Sequence, residues 1–157
     1  MWADSLRPLA DRDDAPVFSP LCERRFALGV ETIYEGYLLH YGTSRLFDPP
    51  DADTTLLLGD YLYAHGLVRI AETGSVEAVH DLAELISLCA QARAEGRLGE
   101  AEAWAATAAL LGRDALADAR CELSERSDPS ALHALARAAA GAEAVERACA
   151  AHDLRVR

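Results

Sequence analysis

The sequence predicts an all-α fold, a single bundle of about six helices. Three observations point there. Apolar residues recur at three- and four-residue spacing through most of the chain. Alanine is heavily used, while aromatic and β-branched residues are sparse. Glycine, proline and capping residues cut the chain into helix-length pieces, with no alternating strand pattern between them. At 157 residues the chain has the length of one domain, large enough for a core without disulfide or metal support.

Residues 1–17 read as a flexible leader, with Pro8, Pro16 and an Asp11-Arg12-Asp13-Asp14 run, and residues 18–157 as the bundle domain. Ser19-Pro20 supplies a cap and a first-position proline, predicting a helix to about His40 with Phe26, Val30, Ile33, Tyr34, Tyr37 and Leu38 on its apolar positions. Gly42 to Pro50 breaks the pattern. Asp51 or Asp53 caps a second helix running to about Thr73. Leu56, Leu57, Leu58, Tyr61, Leu62, Leu67, Val68 and Ile70 make it apolar on most sides, so a central position is expected. Gly59 and Gly66 lie seven residues apart, each costing about 1 kcal/mol of helix propensity relative to alanine. Close approach of a neighbouring helix is the expected reason.

Gly74 stops this helix, and Ser75 starts a third from Val76 to Glu95. Gly96 and Gly99 bracket a short break before a fourth from Glu100 to Leu111, stopped by Gly112. Asp114 is placed to cap a fifth, from Ala115 to about Ser127. Asp128-Pro129 opens a last, alanine-rich helix to about His152, with Leu132, Leu135, Val145 and Cys149 as its apolar stripe.

The formal net charge of −11 disfavours nucleic acid and anionic membrane surfaces as partners. No window has the length of a membrane span and none looks like a signal peptide, so no stable membrane insertion and a cytoplasmic location are expected. All fifteen basic residues are arginine. Cys22, Cys89, Cys121 and Cys149 are widely separated, which suggests free, mostly buried thiols in a reducing compartment. The chain has no glycine-rich phosphate loop, no His-Glu-x-x-His and no Gly-x-Ser-x-Gly. His40, His65, His80, His133 and His152 are scattered along the chain. No catalytic residue, cofactor or metal site is therefore assigned.

The most informative stretches are Val30-Glu31-Thr32-Ile33-Tyr34-Glu35-Gly36-Tyr37-Leu38-Leu39-His40 and Leu57-Leu58-Gly59-Asp60-Tyr61-Leu62-Tyr63-Ala64. They resemble the trans-isoprenyl diphosphate synthases, where one helix ends in leucine-histidine-aspartate-aspartate and the next opens with glycine-aspartate-tyrosine-leucine. Residues 72–79, 83–96 and 102–112 are similar to the three elements that follow in that family. The resemblance implies part of the isoprenoid synthase fold. It also implies what is lost. Where the family places magnesium-binding aspartates, this chain has Tyr41, Gly42 and Arg45, which cannot supply the hard oxygen ligands magnesium requires. The second aspartate-rich motif and the family's lysines have no counterpart. Ionising an allylic diphosphate needs those charges, so the chain is not expected to be a prenyltransferase by itself.

What the resemblance implies is a non-catalytic, regulatory or scaffolding subunit, a pseudoenzyme paired with a catalytic polyprenyl diphosphate synthase subunit that makes menaquinone side chains. Two alternatives stay open: an isoprenoid- or lipid-binding helical protein without turnover, or a self-associating helical module that forms a homo-oligomer. The candidate partner- or pocket-facing residues are His40, Tyr41, Arg45, Leu58, Asp60, Tyr61, Leu62 and Leu67. Asp60 also has a purely structural reading, favoured by a helix start and satisfied by backbone or a tyrosine hydroxyl.

Overall fold

A computed structural model describes residues 3–156. Met1, Trp2 and Arg157, which fall in the predicted leader and at the end of the bundle domain, lie outside the described residues. Among the described residues the chain forms an all-α bundle of seven helices with no strand. They are α1 (Ala27–Tyr41), α2 (Ala52–Ala71), α3 (Val76–Glu95), α4 (Glu100–Ala109), α5 (Ala117–Arg126), α6 (Ser130–Ala140) and α7 (Ala142–Asp153). None is long and apolar enough to cross a membrane.

Local chemistry explains most of the boundaries. The Asp51 carboxylate accepts from the Thr54 N–H at 2.7 Å and caps α2; the Ser75 hydroxyl does the same for α3 from Ala78 at 3.1 Å. Three boundaries differ from the sequence reading. Ser19-Pro20 opens a single 3-10 turn (Ser19–Leu21), not an α-helix. Cys22 and Glu23 then run extended, and a second turn (Arg24–Phe26) leads into α1. That break lets Val17, Phe18 and Leu21 reach the core. Asp114 has a left-handed φ of 49° and caps nothing; burial of both Leu111 and Leu116 delays α5 to Ala117. The last predicted helix is two, because Gly141 adopts φ 88° and ψ 144°, a conformation open mainly to glycine.

The expectation that α2 is central is also corrected. The central helix is α4, on which Ala101 and every residue from Ala103 to Ala109 is buried. It packs on α3, α6, α7 and the Ser19–Leu21 turn. Around Trp104, Phe18 stacks at 5.4 Å between centroids, while Tyr34 and Tyr37 meet it edge-on at 5.0 and 5.5 Å. His152 of α7 closes the cluster, its Nδ1 lying 3.1 Å from the Tyr34 hydroxyl. By contrast α2 packs on α1 and, more lightly, on α3, leaving an outer face. α1 approaches it on one side at backbone contact, while Leu56, Leu57 and Val68 on other sides stay exposed.

That approach is made by glycine. A Cβ on Gly36 would lie 2.9 Å from the Gly59 carbonyl oxygen, and one on Gly66 would lie 2.4 Å from Ile33 Cγ1 and 3.1 Å from the Gly29 carbonyl. Gly29 and Gly36 on α1 thus face Gly66 and Gly59 on α2, two seven-residue repeats running in opposite directions. The predicted reason for the α2 glycines holds.

Residues 3–17 follow the 42–48 loop. Arg7 N–H donates to Leu46 O (2.8 Å), Asp48 N–H to Ser5 O (2.7 Å), and Leu6 bridges Phe47. Asp13 pairs with Arg155 near the far end of the chain.

Candidate functional site

The eight candidate residues do not converge on one site. They divide into a histidine seat, a buried ion network and two sides of α2.

His40 ends α1 with its imidazole over Gly59. A Cβ there would fall 2.7 Å from His40 Nε2, so glycine makes the seat. The ring stacks on Tyr63 at 5.0 Å and lies beside Tyr41 at 5.7 Å. Its Nε2 sits 3.1 Å from Asp60 Oδ1, within ion-pair range but off the line of a good hydrogen bond. The two stretches that carry the sequence resemblance therefore meet each other in space. Asp60 is mostly exposed and is partnered by His40, not by backbone or a tyrosine hydroxyl as its structural reading expected. Beyond Tyr41 the arrangement continues into α3, where the Arg93 guanidinium lies 5.5 Å from the Tyr41 ring centre and donates to the Tyr37 hydroxyl at 3.1 Å. Arg93 also pairs with Glu100 at 2.7 Å.

Arg45 is buried on the other side of α1. Its Nε donates to Glu35 at 2.9 Å, its Nη2 pairs with Glu31 at 2.8 Å, and its Nη1 donates to Ala15 O at 2.8 Å. Burial alone would favour discharging Arg45, but Glu31 and Glu35 outweigh it and hold the guanidinium more firmly protonated. Glu35 Oε1 also accepts from the Ser44 hydroxyl and the N–H groups of Arg45 and Leu46. Glu31 Oε1 accepts from three successive N–H groups, Val17, Phe18 and Ser19. This network ties the leader and the 44–46 loop to α1. Sequence reasoning passed over Glu31 and Glu35; the available signal was two acids one turn apart on an otherwise apolar helix.

Leu58 and Leu62 turn inward onto Leu39, with Phe47 against them; Leu58 is fully enclosed, and Leu62 shows only a small edge. Leu67 is half-buried against the main core. Tyr61 is 46% exposed and stacks on His65 at 5.5 Å. The other outward large apolar residues of α2 are Leu56 (54% exposed), Leu57 (59%) and Val68 (54%); exposed Ala64 and Ala71 lie in one row with Leu57 and Val68. With Tyr61 they recur at four- and three-residue steps, the spacing of a helix-docking seam.

Among the described residues no group of three His, Cys, Asp or Glu side chains is disposed to hold a metal ion. All four cysteines are free, but burial pushes Cys22 and Cys149 up to about 11 and Cys89 well above the usual thiol range, while the Glu125 hydrogen bond raises exposed Cys121. None is an activated thiolate. Burial likewise raises Tyr34, Tyr37 and Tyr63, and lowers His152 to about 4, with Arg93 adding to that effect. The aromatic centre is a neutral, packed core. Against family models, curated proteins and solved structures alike, the chain finds no match.

Proposed function

We propose that this chain is a non-catalytic partner subunit that docks through the outer face of α2 onto the helices of a catalytic polyprenyl diphosphate synthase subunit. The observation that carries the docking is α2 itself. It has the composition of a buried helix and stands at the edge of the bundle, with Leu57, Ala64, Val68 and Ala71 in one exposed row. Such a row is the kind of surface that a protein interface covers. The identity of the partner comes from the sequence resemblance. The meeting of His40 with Gly59 and Asp60 is consistent with a retained scaffold. Arg45, at a position where the family has a metal-binding acid, is committed to Glu31 and Glu35. Packing of Phe18, Tyr34, Tyr37 and Trp104 between the helices favours this reading over a lipid carrier with a central tunnel.

The test is co-expression with a synthase subunit bearing both aspartate-rich motifs, followed by size-exclusion chromatography and a prenyl-transfer assay with and without this chain. Co-elution and a change in rate or product length are expected. The Leu57→Glu/Val68→Glu double variant should fold with stability within about 0.5 kcal/mol per site of the parent, since both positions are exposed, yet lose co-elution. Failure of the parent chain to co-elute or to alter the reaction overturns the proposal.

A further inference from the structure

A second surface of α2, adjacent to the exposed row on the side of α1, lines a cleft of about 310 Å3. Its apolar lining is Leu28, Leu46, Phe47 and Leu62, joined by Pro16 of the leader and by His65 and Arg69 of α2. The volume is at the small end of ligand pockets, about 300–1,000 Å3, and the combination of apolar walls with a few convergent polar groups is what such pockets share.

The charges along this cleft are not equivalent. Glu31 is engaged by three backbone N–H groups and Arg45, and Glu35 by Ser44, two backbone N–H groups and Arg45. Asp13 is paired with Arg155. Asp14 is the remaining acid and is exposed at the rim. Arg69, half-buried, donates its Nε to His65 Nε2 at 3.2 Å. That contact requires a neutral imidazole accepting at Nε2. It fixes the guanidinium beside the apolar walls without neutralising it, and no carboxylate among the described residues pairs with it. A planar guanidinium held in the lining of an apolar cleft suits a carboxylate or phosphate oxygen pair.

We propose that this cleft binds a small anion with a short apolar body, the body lying along Leu28, Leu62 and Phe47 and the anionic head on Arg69. The site shares no lining residue with the docking row, although Tyr61 of that row stacks on His65, and it would stand if no partner subunit bound.

The test is isothermal titration of the full chain with decanoate, decyl phosphate, decanol and acetate. Saturable binding of decanoate or decyl phosphate is expected, the tighter of the two naming the headgroup. Decanol should bind about tenfold more weakly or worse, and acetate not measurably, since a charge-assisted hydrogen bond is worth about that factor. Arg69→Gln should remove the preference for the anion while leaving decanol unchanged, and Leu28→Ser, at an exposed wall, should weaken both. No saturable binding, equal affinity for decanoate and decanol, or an Arg69→Gln variant that binds decanoate like the parent overturns the proposal. Near-identical circular dichroism of both variants excludes misfolding as the cause.

Discussion

α2 and α4 are both built almost wholly from apolar and small residues, yet one lies at the edge of the bundle and the other at its centre. In α4 the small residues are alanines, buried on all sides, and one large side chain, Trp104, organises the aromatic cluster. In α2 the small residues on the packed side are glycines, placed where α1 comes within contact of the backbone. The other side keeps leucine and valine in solvent. An alanine stripe lets several helices gather round one. A glycine pair lets a single helix come very close and leaves the rest of the surface for something else. Composition alone does not separate the two cases; the number of neighbours does.

The comparison breaks most visibly on the α4 side. Trp104→Ala should cost about 3–5 kcal/mol, measured by urea unfolding, because it empties the middle of a fully buried cluster. A loss under about 1 kcal/mol would mean that α4 does not organise the core.

The same cluster contains a pH-dependent component. His152 is 1% exposed and titrates near 4 in the folded chain, against 6.5 for an unperturbed histidine. Between those values the unfolded chain binds more protons than the folded one. The stability contribution is therefore complete above pH 6.5 and falls as pH is lowered toward 4, by up to about 3 kcal/mol. His152→Gln keeps a partner for the Tyr34 hydroxyl and removes the titration. Its stability should decline less steeply than the parent's across that window, and parallel curves would refute the assignment.

The α1–α2 side should respond more mildly. Gly36→Ala sets a methyl 2.9 Å from the Gly59 carbonyl, which belongs to backbone and cannot rotate away. Overpacking of about 1–3 kcal/mol, offset by up to about 1 kcal/mol of improved helix propensity, predicts a net loss near 1–2 kcal/mol in thermal unfolding. A stabilised variant would show that the two helices are not in backbone contact.

How legible these features were depends on the range over which each is decided. Ser75 was legible as a cap, and Asp51 as one of two candidates with Asp53, because a cap acts on the N–H three residues along. Gly59 and Gly66 were legible because glycine repeating inside a leucine-rich helix has few reasons other than close approach. The Ser19-Pro20 cap failed for the opposite reason, since burial of Phe18 follows from where distant helices lie. The continuous last helix failed at Gly141, whose φ of 88° and ψ of 144° break it locally. In the candidate site, His40 and Asp60 were named separately and only the fold pairs them. Arg45 was noticed for what it replaces, while Glu31 and Glu35, which hold it, were passed over because their role depends on contacts to residues 17–19 and 44–46.

By itself the sequence determined the helical class, most helix limits and the small residues at the α1–α2 crossing, since periodicity, capping and backbone freedom act within a few residues. Only the tertiary structure decided which apolar helix is surrounded, which leucines of α2 face outward, and which charges are already engaged. Those outcomes depend on what segments far apart in the chain bring to the same place, and packing, not local propensity, sets them.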